Sequence, residues 1–166
     1  MGMEVHPFDR LARAVDDLQA GGAVGVDFLV QLGACTYEPR HARFQRYMSF
    51  GELCEHVRAA SVVITHAGAG STLVCIQQGK HPIMVPRRAR WGEHVDEHQV
   101  PFARKLSEGG LATTVDDLAE LPAAIASVRG KVARGDAMGR AAELSAWLEG
   151  FWRALPPRRA QARPGR

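Results

Sequence analysis

A chain of 166 residues with 46% hydrophobic side chains can bury one core unaided and has no room for two nucleotide-binding folds. No apolar run approaches the roughly 18 residues of a membrane helix, no signal peptide opens the chain, and Cys35, Cys54 and Cys75 are odd in number without C-x-x-C spacing. A spanning helix, a disulfide framework and a zinc knuckle are therefore excluded, and a soluble protein of the reducing cytoplasm is expected.

The net charge of +3 is a property of the chain's end. Residues 156–166 hold Arg158, Arg159, Arg163 and Arg166 and no acid, which leaves 17 basic against 18 acidic side chains in residues 1–155. One domain over 1–155 with a disordered basic tail over 156–166 is expected, and no nucleic-acid partner.

Phe8, Leu11, Ala12, Val15 and Leu18 share a face of residues 7–19, which predicts an amphipathic helix ended by Gly21-Gly22. Residues 26–32 read as a continuous buried strand and 44–48 as a shorter one. Ser49 and Glu52 form a capping box that opens a helix through residue 60, with Leu53, His56 and Val57 inward. A buried strand over 62–64, a glycine-rich turn, a helix over 71–78 stopped by Gly79 and a strand over 82–85 follow. Next come a polar loop over 87–96, a helix over 97–107 ended by Gly109-Gly110, a short strand over 112–114 and a helix capped by Asp116 or Asp117 to about residue 128. A last helix over 136–154 carries the stripe Leu144, Trp147, Leu148, Phe151 and Leu155. Strand and helix alternate, so the class is α/β with a mostly parallel sheet. Only residues 1–5 precede the first helix, where a buried strand would normally feed it, so either the helix leads the fold or the chain begins late.

The turn His66-Ala67-Gly68-Ala69-Gly70-Ser71-Thr72 joins a strand's carboxyl end to a helix's amino end. There glycines allow close backbone approach, and free amides with the positive helix dipole favour an anion. Neither common phosphate fingerprint fits: Leu73 stands where G-x-G-x-x-G needs its third glycine, and Gly79-Lys80 is followed by His81 where a Walker loop needs Ser or Thr. As a pattern the turn is either an anion site or a tight strand-to-helix connection. Residues 87–99 leave a neighbouring strand end and share that rim. His94-Val95-Asp96-Glu97-His98 matches H-x-x-E-H, the inverted zinc-protease signature, which offers a zinc hydrolase as one alternative. A second is a polar pocket in which Glu93, Asp96, His98 and Gln99 bind sugar hydroxyls, with Arg87, Arg88 or Arg90 near a diphosphate. A solvated loop with a helix cap at Asp96 is the third.

Taken together, the segments 66–71, 79–86 (Gly-Lys-His-Pro-Ile-Met-Val-Pro) and 92–99 (Gly-Glu-His-Val-Asp-Glu-His-Gln) resemble the carboxyl-terminal, donor-binding domain of family 28 glycosyltransferases of the GT-B fold. The likeness runs over about residues 2–118. It is to the short, single-domain type that forms the catalytic half of two-subunit exopolysaccharide and dolichol-linked N-acetylglucosaminyl transferases. The resemblance implies a Rossmann-like fold and transfer of a hexose or N-acetylhexosamine from a UDP-sugar to a polyprenyl-diphosphate-linked acceptor. It implies that Gly68, Ala69, Gly70, Ser71 and Thr72 hold the UDP diphosphate and that His98 and Gln99 contact the donor sugar, with Glu93 and Asp96 beside them. Gly2 and Gly33 would lie on the nucleotide rim, His66 at the mouth of the diphosphate site, and His6 and His66 are the in-chain candidates for catalytic residues, with His6 as the base. No metal or other cofactor is implied, because backbone amides and the helix dipole carry the leaving-group charge. A membrane-associated partner subunit would bind the acceptor and hold this chain at the inner membrane face. Val74 stands where relatives often carry a ribose-binding glutamate, and that departure, with the missing first strand, suits the alternative of a non-catalytic nucleotide-sugar-binding subunit or a decayed paralogue.

Overall fold

The computed structural model describes residues 6–22, 24–130 and Gly150. The expectations for Gly2, for the apolar stripe of the last helix and for the basic tail lie outside the described residues.

Helix α1 (Asp9–Gly21) buries Leu11, Ala12 and Val15, as the spacing predicts, and stops where Gly22 takes a left-handed conformation with φ 60°. Strand β1 (Leu29–Gln31) pairs in parallel with β2 (Arg43–Gln45). Helix α2 (Phe50–Ala59) opens on the predicted capping box: Glu52 N donates to Ser49 Oγ at 3.3 Å and Ser49 N donates to Glu52 Oε2 at 2.7 Å. Strand β3 (Ile64–His66), helix α3 (Ala69–Gln77), strand β4 (Ile83–Val85), helix α4 (Gln99–Glu108), strand β5 (Thr113–Thr114) and helix α5 (Leu121–Val128) complete the described elements, with one-turn 3-10 helices at Ala89–Trp91 and Leu118–Glu120.

The expected parallel pairing is present but divided. One sheet runs β1-β2 and the other β3-β4-β5, every pair parallel. Between them lies a cavity of about 360 Å³, lined by residues 26–31 on one side, 59–66 on the other, and Leu11, Ala12 and Val15 of α1. β1 is consequently not the buried strand its apolar run suggests; Leu29 is exposed, and the strand is otherwise half-buried. β2 is exposed throughout. His56, expected inward, faces solvent, because α2 turns only Val57 fully into the core.

Strand β4 organises the core by side-chain alternation. Ile83 and Val85 pack into a cluster with Phe8, Leu11 and Val15 of the α1 region and Leu121, Ile125 and Val128 of α5. Met84 faces the other way, into Ile76, Phe102, Ala103 and Leu106 of α3 and α4. Helices therefore cover both faces of this sheet, the layering of an α/β domain. Its three strands, being parallel, send their carboxyl ends to one side.

Candidate functional site

That side carries two loops. After β3 the chain turns through Ala67 and Gly68 into α3, with Gly68 at the N-cap position, and Thr72 Oγ1 and Ser71 Oγ both donate to the Gly68 carbonyl at 2.8 and 3.3 Å. These bonds hold the hydroxyls back on the turn while the first amides of α3 point outward along the helix axis. Gly68 is obligatory for a steric reason: a Cβ there would sit 2.3 Å from His66 Nε2. Gly70 is exposed, with nothing within 4 Å of an added Cβ, so its lack of a side chain leaves the helix start open.

His66 does not stand at an open mouth. It is 4% exposed, its ring packs beneath Gly68, and its Nδ1 has no hydrogen-bond partner among the described residues. Burial, reinforced by the positive charge of Arg87, pushes its pKa down to about 3, so the imidazole is neutral at physiological pH.

The loop after β4 is fastened at both ends by buried polar groups. Glu93 accepts from Arg10 Nε at 2.9 Å, Arg10 Nη2 at 3.1 Å and Arg88 N at 2.9 Å, a forked ion pair that ties the loop to α1. Gln99 Oε1 accepts from Arg87 N at 3.1 Å. The buried Arg87 side chain donates to the carbonyls of His6 at 2.8 Å and Glu93 at 3.0 Å and lies over the Phe8 ring. Of the four residues expected at the sugar, Glu93 and Gln99 are thus buried and held by arginines, whereas Asp96 and His98 pair with each other, with Asp96 the more exposed of the two. Among the arginines, Arg88 pairs with Asp116 at 2.6 Å and Arg90 stacks on Trp91, while Arg87 is a strut of the loop.

Three imidazoles line up along this loop. The His6 ring is 6.4 Å from that of His94, and the His94 ring meets His98 edge-on at 4.6 Å. Asp96 sits between the last two, contacting His98 Nδ1 and lying 3.2 Å from His94 Nδ1. Burial works against its ionisation, but hydrogen bonds from the His98 amide and ring outweigh it and lower the Asp96 pKa. The inverted zinc-protease arrangement is not formed: α4 begins at Gln99, after both histidines, and the Glu97 carboxylate is turned away to Ala89 N at 2.8 Å and to Arg88.

Gly33 occupies the turn after β1 with φ 59°, its amide donating to Arg46 O at 2.8 Å. Val74 is buried against Val57 and Cys75, so α3 presents packing to α2 at the position where a ribose carboxylate was sought. The three cysteines are free. What the sequence did not reveal was the pairing of Arg10 with Glu93, since 83 residues separate them and each reads as an ordinary surface charge.

Comparison with known proteins identifies the family and the fold. The family model described as "Glycosyltransferase family 28 C-terminal domain" matches residues 5–148. A solved structure titled "Crystal Structure Analysis of the Glycotransferase of kitacinnamycin" aligns with TM-score 0.56 and 17% sequence identity over 87% of this chain. That alignment covers 35% of the other protein, so the chain spans about a third of its length and shares its fold over that part. No curated protein matches in sequence.

Proposed function

Since the chain belongs to the glycosyltransferase family 28 C-terminal domains, we propose that it is the donor half of a transferase that moves a hexose or N-acetylhexosamine from a UDP-sugar to a polyprenyl-diphosphate-linked acceptor. The observation that carries this reading is the turn over residues 66–72. An open helix start lies beside a buried, neutral imidazole with an unpartnered Nδ1, the donor-rich surroundings that a diphosphate needs. Gly68, Ala69, Gly70, Ser71 and Thr72 hold the diphosphate, and backbone amides receive its charge as it leaves. Gly33 borders the nucleotide.

Asp96 and His98 bind the donor sugar. Glu93 and Gln99 keep those two in place, through Arg10 and through the Arg87 amide, and Gln99 retains an amide group for the sugar. His6, on the accessible end of the imidazole row, is the group to take the acceptor proton. Neither a metal nor another cofactor enters the reaction. A membrane-associated partner supplies the acceptor wall of the cleft at the inner membrane face. Among the described residues no helix is long and apolar enough to cross a membrane.

Isothermal titration with UDP tests the assignment, with binding expected in the micromolar to millimolar range. Gly70→Asp is the decisive variant. The added side chain meets nothing within 4 Å, and a carboxylate at a helix start favours the helix, so folding is retained. The same carboxylate opposes a diphosphate by about 2 kcal/mol, roughly thirtyfold in affinity. Unchanged UDP affinity in the folded variant removes the turn from the site. UDP binding with no transfer in the presence of a partner encoded nearby would assign a non-catalytic binding subunit instead.

A further inference from the structure

We propose that His94, Asp96 and His98 form a binding site for a divalent transition ion of the zinc class, independent of the reaction proposed above. Each residue offers one ligand atom, and these atoms lie within 4.8 Å of one another. Zinc holds imidazole nitrogen and carboxylate oxygen at about 2.0–2.2 Å, so ligand atoms around one ion stand roughly 3.3 Å apart in a tetrahedron. Asp96 Oδ1 is already 3.2 Å from His94 Nδ1 and touches His98 Nδ1, so small rotations of the His98 and Asp96 side chains complete the set.

The loop is also preorganised. Glu93, immediately before His94, is clamped by Arg10 and Arg88, and Gln99, immediately after His98, is held by the Arg87 amide. The ligands therefore lie on a short segment fixed at both ends, which limits the ordering cost of closing on an ion. Solvent reaches it through Asp96, whose side chain is 46% exposed, while His94 is buried. Two imidazoles with one carboxylate suit zinc, cobalt or nickel; magnesium and calcium take oxygen ligands.

Zinc placed here would occupy Asp96 and His98, the two side chains assigned to the donor sugar. On that reading alone, zinc competes with the UDP-sugar but not with UDP.

Titration of the purified chain with cobalt, followed by its visible d–d absorption, and calorimetry with zinc chloride read the site directly. One ion per chain is expected, undisturbed by excess magnesium. Asp96→Asn, at an exposed position where folding is preserved, and His98→Ala should each weaken zinc binding at least tenfold, whereas His41→Ala and His56→Ala, both on exposed histidines, should not. No cobalt spectrum, or equal zinc affinity in Asp96→Asn and the parent chain, overturns the site. Metal binding without competition against UDP-sugar would leave the metal site standing and refute the sugar assignment.

Discussion

His66 shows how one residue couples the fold to the chemistry proposed for it. A histidine at a strand's carboxyl end reads in the sequence as a possible acid or base, but burial under Gly68 and the charge of Arg87 bring its pKa to about 3. The sign of the resulting pH dependence follows from which state takes up protons. Below about pH 6.5 the unfolded chain protonates this imidazole and the folded chain does not, so stability from His66 is complete above 6.5 and is lost as pH falls toward 3. Each pH unit of that window is worth up to about 1.4 kcal/mol. Urea denaturation of the parent chain and His66→Gln should converge by about 2 kcal/mol between pH 7.5 and pH 5, because the other titrating groups are common to both. A constant difference between the two chains across that range would show that His66 titrates normally.

At the scale of elements, legibility divides between local and distant causes. The capping box of α2 and the glycine stop of α1 depend on residues within a few positions of one another, and both are where the sequence places them. Strand boundaries moved because pairing decides them: β3 is shifted to Ile64–His66 by its register against Ile83–Val85. α4 starts two residues late because the Glu97 side chain bonds back to Ala89 N instead of continuing the helix. Asp16 was invisible in the same way. On an amphipathic helix it reads as a solvated acid, yet it is 1% exposed and accepts from Tyr37 Oη at 2.6 Å, Arg40 N at 2.9 Å, and the amides of His41 and Ala42 at 2.8 Å each. Burial works against its charge, but these donors outweigh it and depress its pKa. It fastens α1 to the segment that leads into β2. Asp16→Asn presents an NH₂ to one or more of these donors and should cost about 3 kcal/mol or more in equilibrium unfolding, from several unsatisfied buried groups. A loss below 1 kcal/mol would mean that the segment is held by its packing alone.

Across the whole molecule, the α/β class was legible because apolar runs alternate with amphipathic stretches, and the side that carries the two loops followed from glycine turns placed after strands. The division of the sheet was not, since composition does not reveal which strands lack a neighbour. That division has a consequence for stability. β4 is paired on both edges, by β3 and β5, and its three residues are fully buried between the α1/α5 and α3/α4 clusters. β2 pairs with β1 alone and all three of its residues are exposed, while β1 borders the cavity and reaches the core through Val30 and the flanking Leu32. A short two-stranded pairing with an exposed outer strand is marginal, so β2 should open from β1 without unfolding of the β3-β4-β5 core. Hydrogen exchange resolved by residue should find the slowest amides at Ile83–Val85 and protection at least tenfold lower, about 1.4 kcal/mol in opening free energy, across Arg43–Gln45. The turn over residues 66–72 and the histidine loop both leave strands of the slower unit, so on the proposed function binding of UDP should raise protection there more than in β2. Equal protection of β2 and β4 would show that the two sheets open as one and that the cavity does not separate them mechanically.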